Sequence, residues 1–150
     1  MFASEFVLGS VNAPDALALR KRVFVEELGW EDTQAFTDID ALAAHLMVRV
    51  EGETVAAARM FPVQGGVCLD CACVAPNWRK QRFFDLCVRL MLNKAANMGT
   101  ARVYITTDAA YIAYYAAFGF LTDAEENGVC EMSIDPENIV WHSACGGKKE

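Results

Sequence analysis

The segment Val74-Ala75-Pro76-Asn77-Trp78-Arg79-Lys80-Gln81-Arg82-Phe83-Phe84 constrains this chain more than any other. A β-rich apolar run from Val67 to Val74 enters a polar turn, and a long amphipathic stretch leaves it. A strand, a turn and a helix in that order aim backbone N–H groups, and the positive end of the helix dipole, at whatever lies before the turn. Three of the four residues from Arg79 to Arg82 are cationic, in a chain of formal net charge −7. A basic turn in an acidic chain points to an anion, and the helix start points to a phosphate. The glycines that phosphate-cradling loops normally use are missing.

The rest of the chain supplies the frame for that turn. Ser4 to Leu8 reads as a short strand, and Asn12-Ala13-Pro14-Asp15 as a helix start, with a capping side chain, an early proline and an early acid. The helix that follows carries Leu17, Phe24 and Leu28 on one stripe, with Ala16, Leu19 and Val23 beside it, and ends at Gly29. Glu31 to Asp40 is an acidic loop, with a helical turn expected around Ile39 to Ala44. His45 to Val50 and Thr54 to Phe61 are strand-like across Glu51-Gly52-Glu53, and Gln64-Gly65-Gly66 makes the next turn.

After the loop comes a helix of about five turns. Its expected buried face is Phe83, Cys87 and Leu90 with Phe84, Met91 and Ala95, and Gly99 stops it. Ala101 to Thr106 is a strand and Ala109 to Ala117 a short helix. Phe120 to Thr122 and Val129 to Ile134 form a last pair around Glu125-Glu126-Asn127-Gly128. The order predicts an α+β fold, a central mixed sheet of about seven strands flanked by about four helices. We expect one domain over residues 1–135 and a C-terminal tail over 136–150, mobile from Ser143 to Glu150.

Composition excludes several partners. With 54% hydrophobic and 22% charged residues, 150 residues suffice to bury one core. An acidic chain lacks the broad basic face that nucleic acid needs. No apolar run approaches the ~20 residues of a membrane span. Met1 to Ser10 has no basic start and carries Glu5, so a cytoplasmic protein without a signal peptide is expected. Of six cysteines, Cys68, Cys71 and Cys73 lie in one strand, where alternation sends Cys68 to one face and the other two to the opposite face. Zinc needs a turn that converges thiolates, so buried free thiols and no metal are expected. Cys87 falls on a helix, Cys130 in a late strand and Cys145 in the tail.

Three groups of residues carry a family resemblance. Tyr114-Tyr115-Ala116-Ala117-Phe118-Gly119-Phe120 looks like the aromatic-Tyr-x-x-x-Gly-Phe signature of the GCN5-related N-acetyltransferases (GNAT). Val74-Ala75-Pro76-Asn77-Trp78-Arg79 is similar to the Val-x-Pro-x-aromatic-Arg that opens their coenzyme A loop. Val23-Phe24-Val25-Glu26-Glu27, with Asp40, His45 and Ala58-Arg59, resembles the small subgroup typified by ElaA. The match covers roughly residues 4–135. The family's loop is Arg/Gln-x-x-Gly-x-Gly/Ala, and here its glycine positions hold Arg82 and Phe84. Asp108 stands where many relatives carry asparagine.

The resemblance implies an acetyl-CoA-dependent N-acetyltransferase in which a small amine acceptor attacks the thioester directly. Such chemistry needs a base for the amine proton, a donor for the oxyanion and an acid for the leaving thiolate. Motif position makes Tyr115 the acid and Glu27 the base, with Glu26, Asp70 and His45 as competitors. Cofactor contacts are expected from Cys73, Val74, Arg79, Lys80, Gln81, Arg82, Phe83, Phe84, Asp108 and Tyr115, with backbone N–H near Cys73 and Val74 facing the oxyanion. Arg82 can offer a guanidinium fork where glycine is lost; Phe84 either joins the core or blocks the cleft. A homodimer is allowed.

Bland alternatives stand beside these roles. His45 reads as a satisfied structural histidine, Arg59 as the partner of Asp38 or Asp40, and Tyr111 and Tyr114 as packing residues. Arg20-Lys21-Arg22 reads as an exposed basic face. The missing glycines also fit a catalytically impaired binding or regulatory module. Phe24, Leu28-Gly29-Trp30, Asp40 and Arg59-Met60-Phe61-Pro62 are similar to elements of acyl-homoserine-lactone synthases, but Asp70-Cys71-Ala72-Cys73 lacks the arginine of their Glu-x-x-Arg.

Overall fold

The computed structural model describes residues 1–142 of the 150. The tail from Ser143 to Glu150, expected to be mobile, and Cys145 within it lie outside the described residues. Among the described residues there are seven strands: β1 (Phe2–Leu8), β2 (Ala44–Val50), β3 (Glu53–Val63), β4 (Gly66–Val74), β5 (Val103–Asp108), β6 (Leu121–Glu126) and β7 (Val129–Ile134). They form a mixed sheet in the order β1-β2-β3-β4-β5-β7-β6. Four α-helices accompany it: α1 (Pro14–Arg20), α2 (Asp32–Ala35), α3 (Phe83–Asn97) and α4 (Ile112–Phe118). Both the α+β class and the element order agree with the sequence pattern. The described residues pack as two compact units, Met1–Pro62 with Leu69–Met91, and Val63–Cys68 with the residues from Leu92 onward.

In the first unit β1, β2 and β3 pair antiparallel. Glu51 (φ 50°) and Gly52 (φ 84°) close the β2–β3 hairpin, two left-handed residues as a primed turn requires. Ala13, Ala16, Leu19, Val23, Met47, Ala57, Cys73 and Ala75 form its core cluster, with Val7, Phe24 and Trp78 packed against it. The helix begun by α1 does not continue as α. Lys21–Glu27 is a π-helical segment, and Leu28 N–H reaches back five residues to Val23 O (3.1 Å). This wider turn shifts the helical phase. Past the shift Leu28 is exposed, and the expected stripe is wrong in part elsewhere too, with Leu17 and Phe24 only half-buried. The buried face is Ala16, Leu19, Arg20 and Val23.

Arg20 is a second correction. Expected on an exposed basic face, it is only 2% exposed. Its position four after Ala16 and three before Val23 puts it on the inward stripe, where Asp40 and His45 supply partners for its charge. The helical turn expected around Ile39 to Ala44 is a single 3₁₀ turn at Asp38–Ala41, set by a capping box in which Thr37 and Asp40 exchange bonds.

In the second unit β4 meets β5 in parallel through Val67–Val103 and Cys68–Tyr104, and β7 pairs antiparallel with both β5 and β6. Gly66 is required there, because a Cβ would lie 1.9 Å from Arg102 O. Asn127 (φ 54°) and Gly128 (φ 80°) make the β6–β7 turn. Every residue of β6 is exposed, and Asp123, Glu125 and Glu126 lie on it. The strand expected at 101–106 begins and ends two residues later, and the helix expected at 109–117 opens as a 3₁₀ turn over Ala109–Tyr111. Gly119 (φ 112°) ends α4. Past residue 135 the chain stays packed: Val140 N–H bonds Phe118 O (2.8 Å), and the Trp141 and His142 rings lie on Phe118.

Helix α3 has 15 residues, one turn fewer than expected. Gly99 (φ 73°) stops it as predicted, with Thr100 N–H on Ala95 O (3.2 Å) and Gly99 N–H on Ala96 O (3.1 Å), a Schellman pattern. Its buried residues are Cys87, Val88, Met91, Leu92 and Ala95. Phe83, Phe84 and Leu90, expected in that face, are only half-buried.

Candidate active site

The loop after β4 has the backbone of a glycine loop without the glycines. Pro76–Trp78 is one 3₁₀ turn, and Arg79 is extended. Lys80 (φ 75°) and Arg82 (φ 67°) are then left-handed, a region that non-glycine residues enter at a cost of about 1–2 kcal/mol. Arg82 is the position aligned with the family's first glycine. Its carbonyl accepts from Leu86 N–H (3.0 Å), so Arg82 caps α3. Helix α3 starts at the next residue, Phe83, so the positive end of its dipole lies at this turn. A left-handed residue followed at once by helical backbone directs consecutive N–H groups into one concavity suited to an anion. Lys80, Gln81 and Arg82 are exposed around it.

Phe83 and Phe84 are half-buried, and the Trp78 and Phe83 rings meet edge-on at 6.1 Å. The pair therefore serves as the apolar footing of the loop. Trp78 Nε1 also donates to Glu53 (3.2 Å).

Arg79 and Glu27, one expected on phosphate and the other as base, are bonded to each other. Arg79 Nη1 and Nη2 donate to the two oxygens of Glu27 (2.6 and 2.7 Å), and its Nε donates to Val74 O (2.9 Å). The Arg79 guanidinium holds the Glu27 carboxyl below its ordinary value. Of its three competitors, Glu26 is exposed and Asp70 is paired with Arg59. His45 is fully buried.

His45, Arg59, Asp40 and Arg20 belong to one buried polar network. Asp40 Oδ1 accepts from Arg20 Nη1 (2.7 Å) and Arg59 Nη1 (3.2 Å). Arg59 also grips Asp70 with two parallel bonds (2.8 and 2.7 Å) and reaches Thr37 Oγ1 (3.1 Å). His45 Nδ1 faces Arg20 Nη2 (3.3 Å), which can only donate, so Nδ1 accepts and Nε2–H donates to Asp40 O (3.0 Å). The structural roles expected for His45 and for Arg59 with Asp40 are those observed. Arg20 and Thr37 were missed. The helical spacing of Arg20 with Ala16 and Val23, and the Thr37-x-x-Asp40 box, were the signals available.

In β4, Cys71 is left-handed (φ 55°), which breaks the alternation expected for Cys68, Cys71 and Cys73. Cys73 and Val74 are buried at its end. Burial pushes the Cys73 and Cys87 thiols up to about 12, and that of Cys71 up to about 11. Cys68, Cys71, Cys73, Cys87 and Cys130 are free thiols. Among the described residues, no group of three or more His, Cys, Asp or Glu could hold a metal ion.

The remaining expected residues lie in the second unit. Tyr115, on α4, packs edge-on against Tyr114 (5.2 Å) and Phe120 (5.6 Å). Burial pushes its phenol up to about 12. Tyr114 also meets the Tyr111 and Phe118 rings, the packing role expected of it. Asp108 caps the turn before α4, its Oδ1 accepting from Ala110 N–H (2.9 Å).

Comparison with known proteins decides the family. The model of the acetyltransferase (GNAT) family matches residues 13–120. The chain belongs to the GNAT family. That span includes the loop and Tyr115. Escherichia coli ElaA superposes with a TM-score of 0.75 at 20% identity, over 90% of this chain and 100% of that one. An acyl-CoA N-acyltransferase from Pseudomonas aeruginosa gives 0.75 at 22% identity, over 89% and 97%. The ribosomal-protein-S18-alanine N-acetyltransferase of Escherichia coli gives 0.70 at 16% identity, over 96% and 97%. Likeness at these identities establishes the fold. No curated protein matches the chain. Members of the GNAT family use acyl-CoA as co-substrate, and among the described residues no helix is long and apolar enough to cross a membrane.

Proposed function

We propose that this GNAT protein transfers an acetyl group from acetyl-CoA to a small amine acceptor in the cytoplasm. The observation that carries this is the left-handed backbone at Lys80 and Arg82. A chain that had abandoned phosphate binding would have no use for two strained residues at a helix start. In this reading the start of α3 faces the pyrophosphate with the positive end of its dipole, and Lys80 and Arg82 add cationic side chains. Backbone near Cys73 and Val74 stabilises the developing oxyanion. Tyr115 returns a proton to the leaving thiolate, for which a phenol held protonated at neutral pH is suited.

Calorimetric titration of the whole chain with acetyl-CoA, paired with thermal denaturation, tests the proposal. Ligand at a hundred times its dissociation constant should stabilise the fold by about 2.7 kcal/mol. No heat and no shift at millimolar acetyl-CoA would rule it out. A second reading, a binding module without turnover, is favoured by the engagement of Glu27 with Arg79. Binding with no thiol release across a panel of primary amines would select it.

A further inference from the structure

Glu27 and Arg79 hold each other in a way that suits neither a proton acceptor nor a phosphate ligand. We propose that they form a brace: Glu27 is a positioning residue that locks the Arg79 guanidinium, and with it the start of the cofactor loop, onto the end of the π-helical segment. The inference rests on the acyl-CoA reading above and says how that loop is held.

Three bonds from one guanidinium tie three segments together. Nε fixes the last carbonyl of β4, at Val74, and both terminal nitrogens fix Glu27, the last residue of the π-helical segment. Two parallel bonds set the plane of the carboxylate as well as its distance. Three of the five guanidinium N–H donors are engaged, so Arg79 cannot offer a phosphate a full two-nitrogen fork without releasing Glu27 or Val74. A carboxylate gripped at both oxygens by a guanidinium is stabilised in its charged form, which makes it a poor base.

The π-helical segment gives the brace a stiff far end. Its i→i+5 bonding fits an extra residue into the turn, which rotates the residues at its end relative to an unbroken α-helix, and Glu27 there meets Arg79. Behind it, Trp30 N–H bonds Phe24 O (2.8 Å), and the two rings stack at 4.5 Å. Glu27 and Arg79 side chains are 38% and 39% exposed. The pair alone therefore adds little to global stability, and its consequence is local: the left-handed turn at Lys80 and Arg82 begins from a fixed point.

A double-mutant cycle with Glu27→Gln and Arg79→Gln tests this, read by amide hydrogen exchange over residues 27–30 and 79–82 and by acetyl-CoA titration. Each single variant should speed exchange in both segments and weaken acetyl-CoA binding by roughly threefold to tenfold, a change of about 0.7–1.4 kcal/mol. The double variant should lose no more than the larger single loss. The shape of the kcat–pH profile should survive Glu27→Gln.

Exchange that rises in one segment alone, or additive losses in affinity, would overturn the brace. A fall in kcat of about a hundredfold or more in Glu27→Gln, with loss of the acidic limb of the profile, would overturn it too and make Glu27 the base. Should the unaltered chain neither bind nor turn over acetyl-CoA, the proposed reaction fails while the exchange cycle still decides the brace.

Discussion

Arg20 and Asp40 meet at 2.7 Å with both side chains nearly out of solvent, 2% and 7% exposed. Burial opposes the charge on Asp40, yet the bonds from Arg20, the Thr37 amide and the charge of Arg59 keep its carboxyl below the ordinary value. Removing one member of such a network strands the others.

Asp40→Asn should therefore destabilise the fold by about 3–5 kcal/mol in urea unfolding. Because the folded pKa lies below the unfolded one, the contribution of Asp40 is complete above about pH 4 and is lost as pH falls through the folded value. The variant should show a correspondingly shallower loss of stability on acidification. Equal slopes for both proteins would mean that Asp40 is not the group responsible.

Arg82 separates backbone from side chain. Arg82→Gly should raise stability by up to about 1 kcal/mol, since glycine adopts φ 67° without strain. Arg82→Ala keeps the strain and loses the guanidinium, so acetyl-CoA binding should weaken by about 1.5–3 kcal/mol if the side chain touches phosphate. Calorimetry on both variants reads the difference. Tight binding by both would assign recognition to the amides alone.

How much of this was legible in the sequence depends on what kind of signal carried it. Turn residues were the most reliable: Gly29, Gly52, Gly99 and Asn127-Gly128 each fall at a left-handed position, because few residues tolerate that backbone. Helical phase was least reliable. One π-helical segment, which no residue type announces, moved Leu28 outward, while Arg20 was placed outside on its charge although its spacing from Ala16 sets it on the buried stripe. Motif spacing drew attention to the loop after β4, where two left-handed residues stand, and to Tyr115 on α4. The partners of Glu27 and Arg79 could not be read, since 52 residues separate them and pairing at that distance is a property of the fold.

Tyr115→Phe removes the proposed proton donor and keeps the ring packing against Tyr114 and Phe120. It should lower kcat by about 10²–10⁴-fold, the usual worth of a positioned acid, with little change in acetyl-CoA affinity. Steady-state kinetics on a responsive amine would show it. An unchanged kcat would return Tyr115 to the core.

Gly66→Ala should be among the most damaging single-methyl changes available, because the new Cβ meets the carbonyl of Arg102 at 1.9 Å. That contact can be relieved only by moving backbone beside the Val67–Val103 pair. A loss of more than about 3 kcal/mol in chemical denaturation is expected, at the upper end for overpacking. A loss under about 1 kcal/mol would mean that the strand shifts freely.

The buried thiols predict alkaline behaviour. Cys71, Cys73 and Cys87 keep their protons to about 11, 12 and 12, whereas unfolded thiols ionise near 8.5. Raised folded values mean that their contribution is whole below the unfolded pKa and is lost as pH rises through the folded values. The urea midpoint should fall between about pH 9 and 12, and less steeply in Cys73→Ala/Cys87→Ala.

Strand β6 has one last consequence. It ends the sheet order with all of its residues exposed and three acids along it. A strand docking there would lie about 4.8 Å away, and a second copy of β6 would bring its own carboxylates to that spacing. The rim is thus guarded by repulsion, and concentrated samples should resist growing into ribbons along this edge at low ionic strength, a resistance that added salt should weaken.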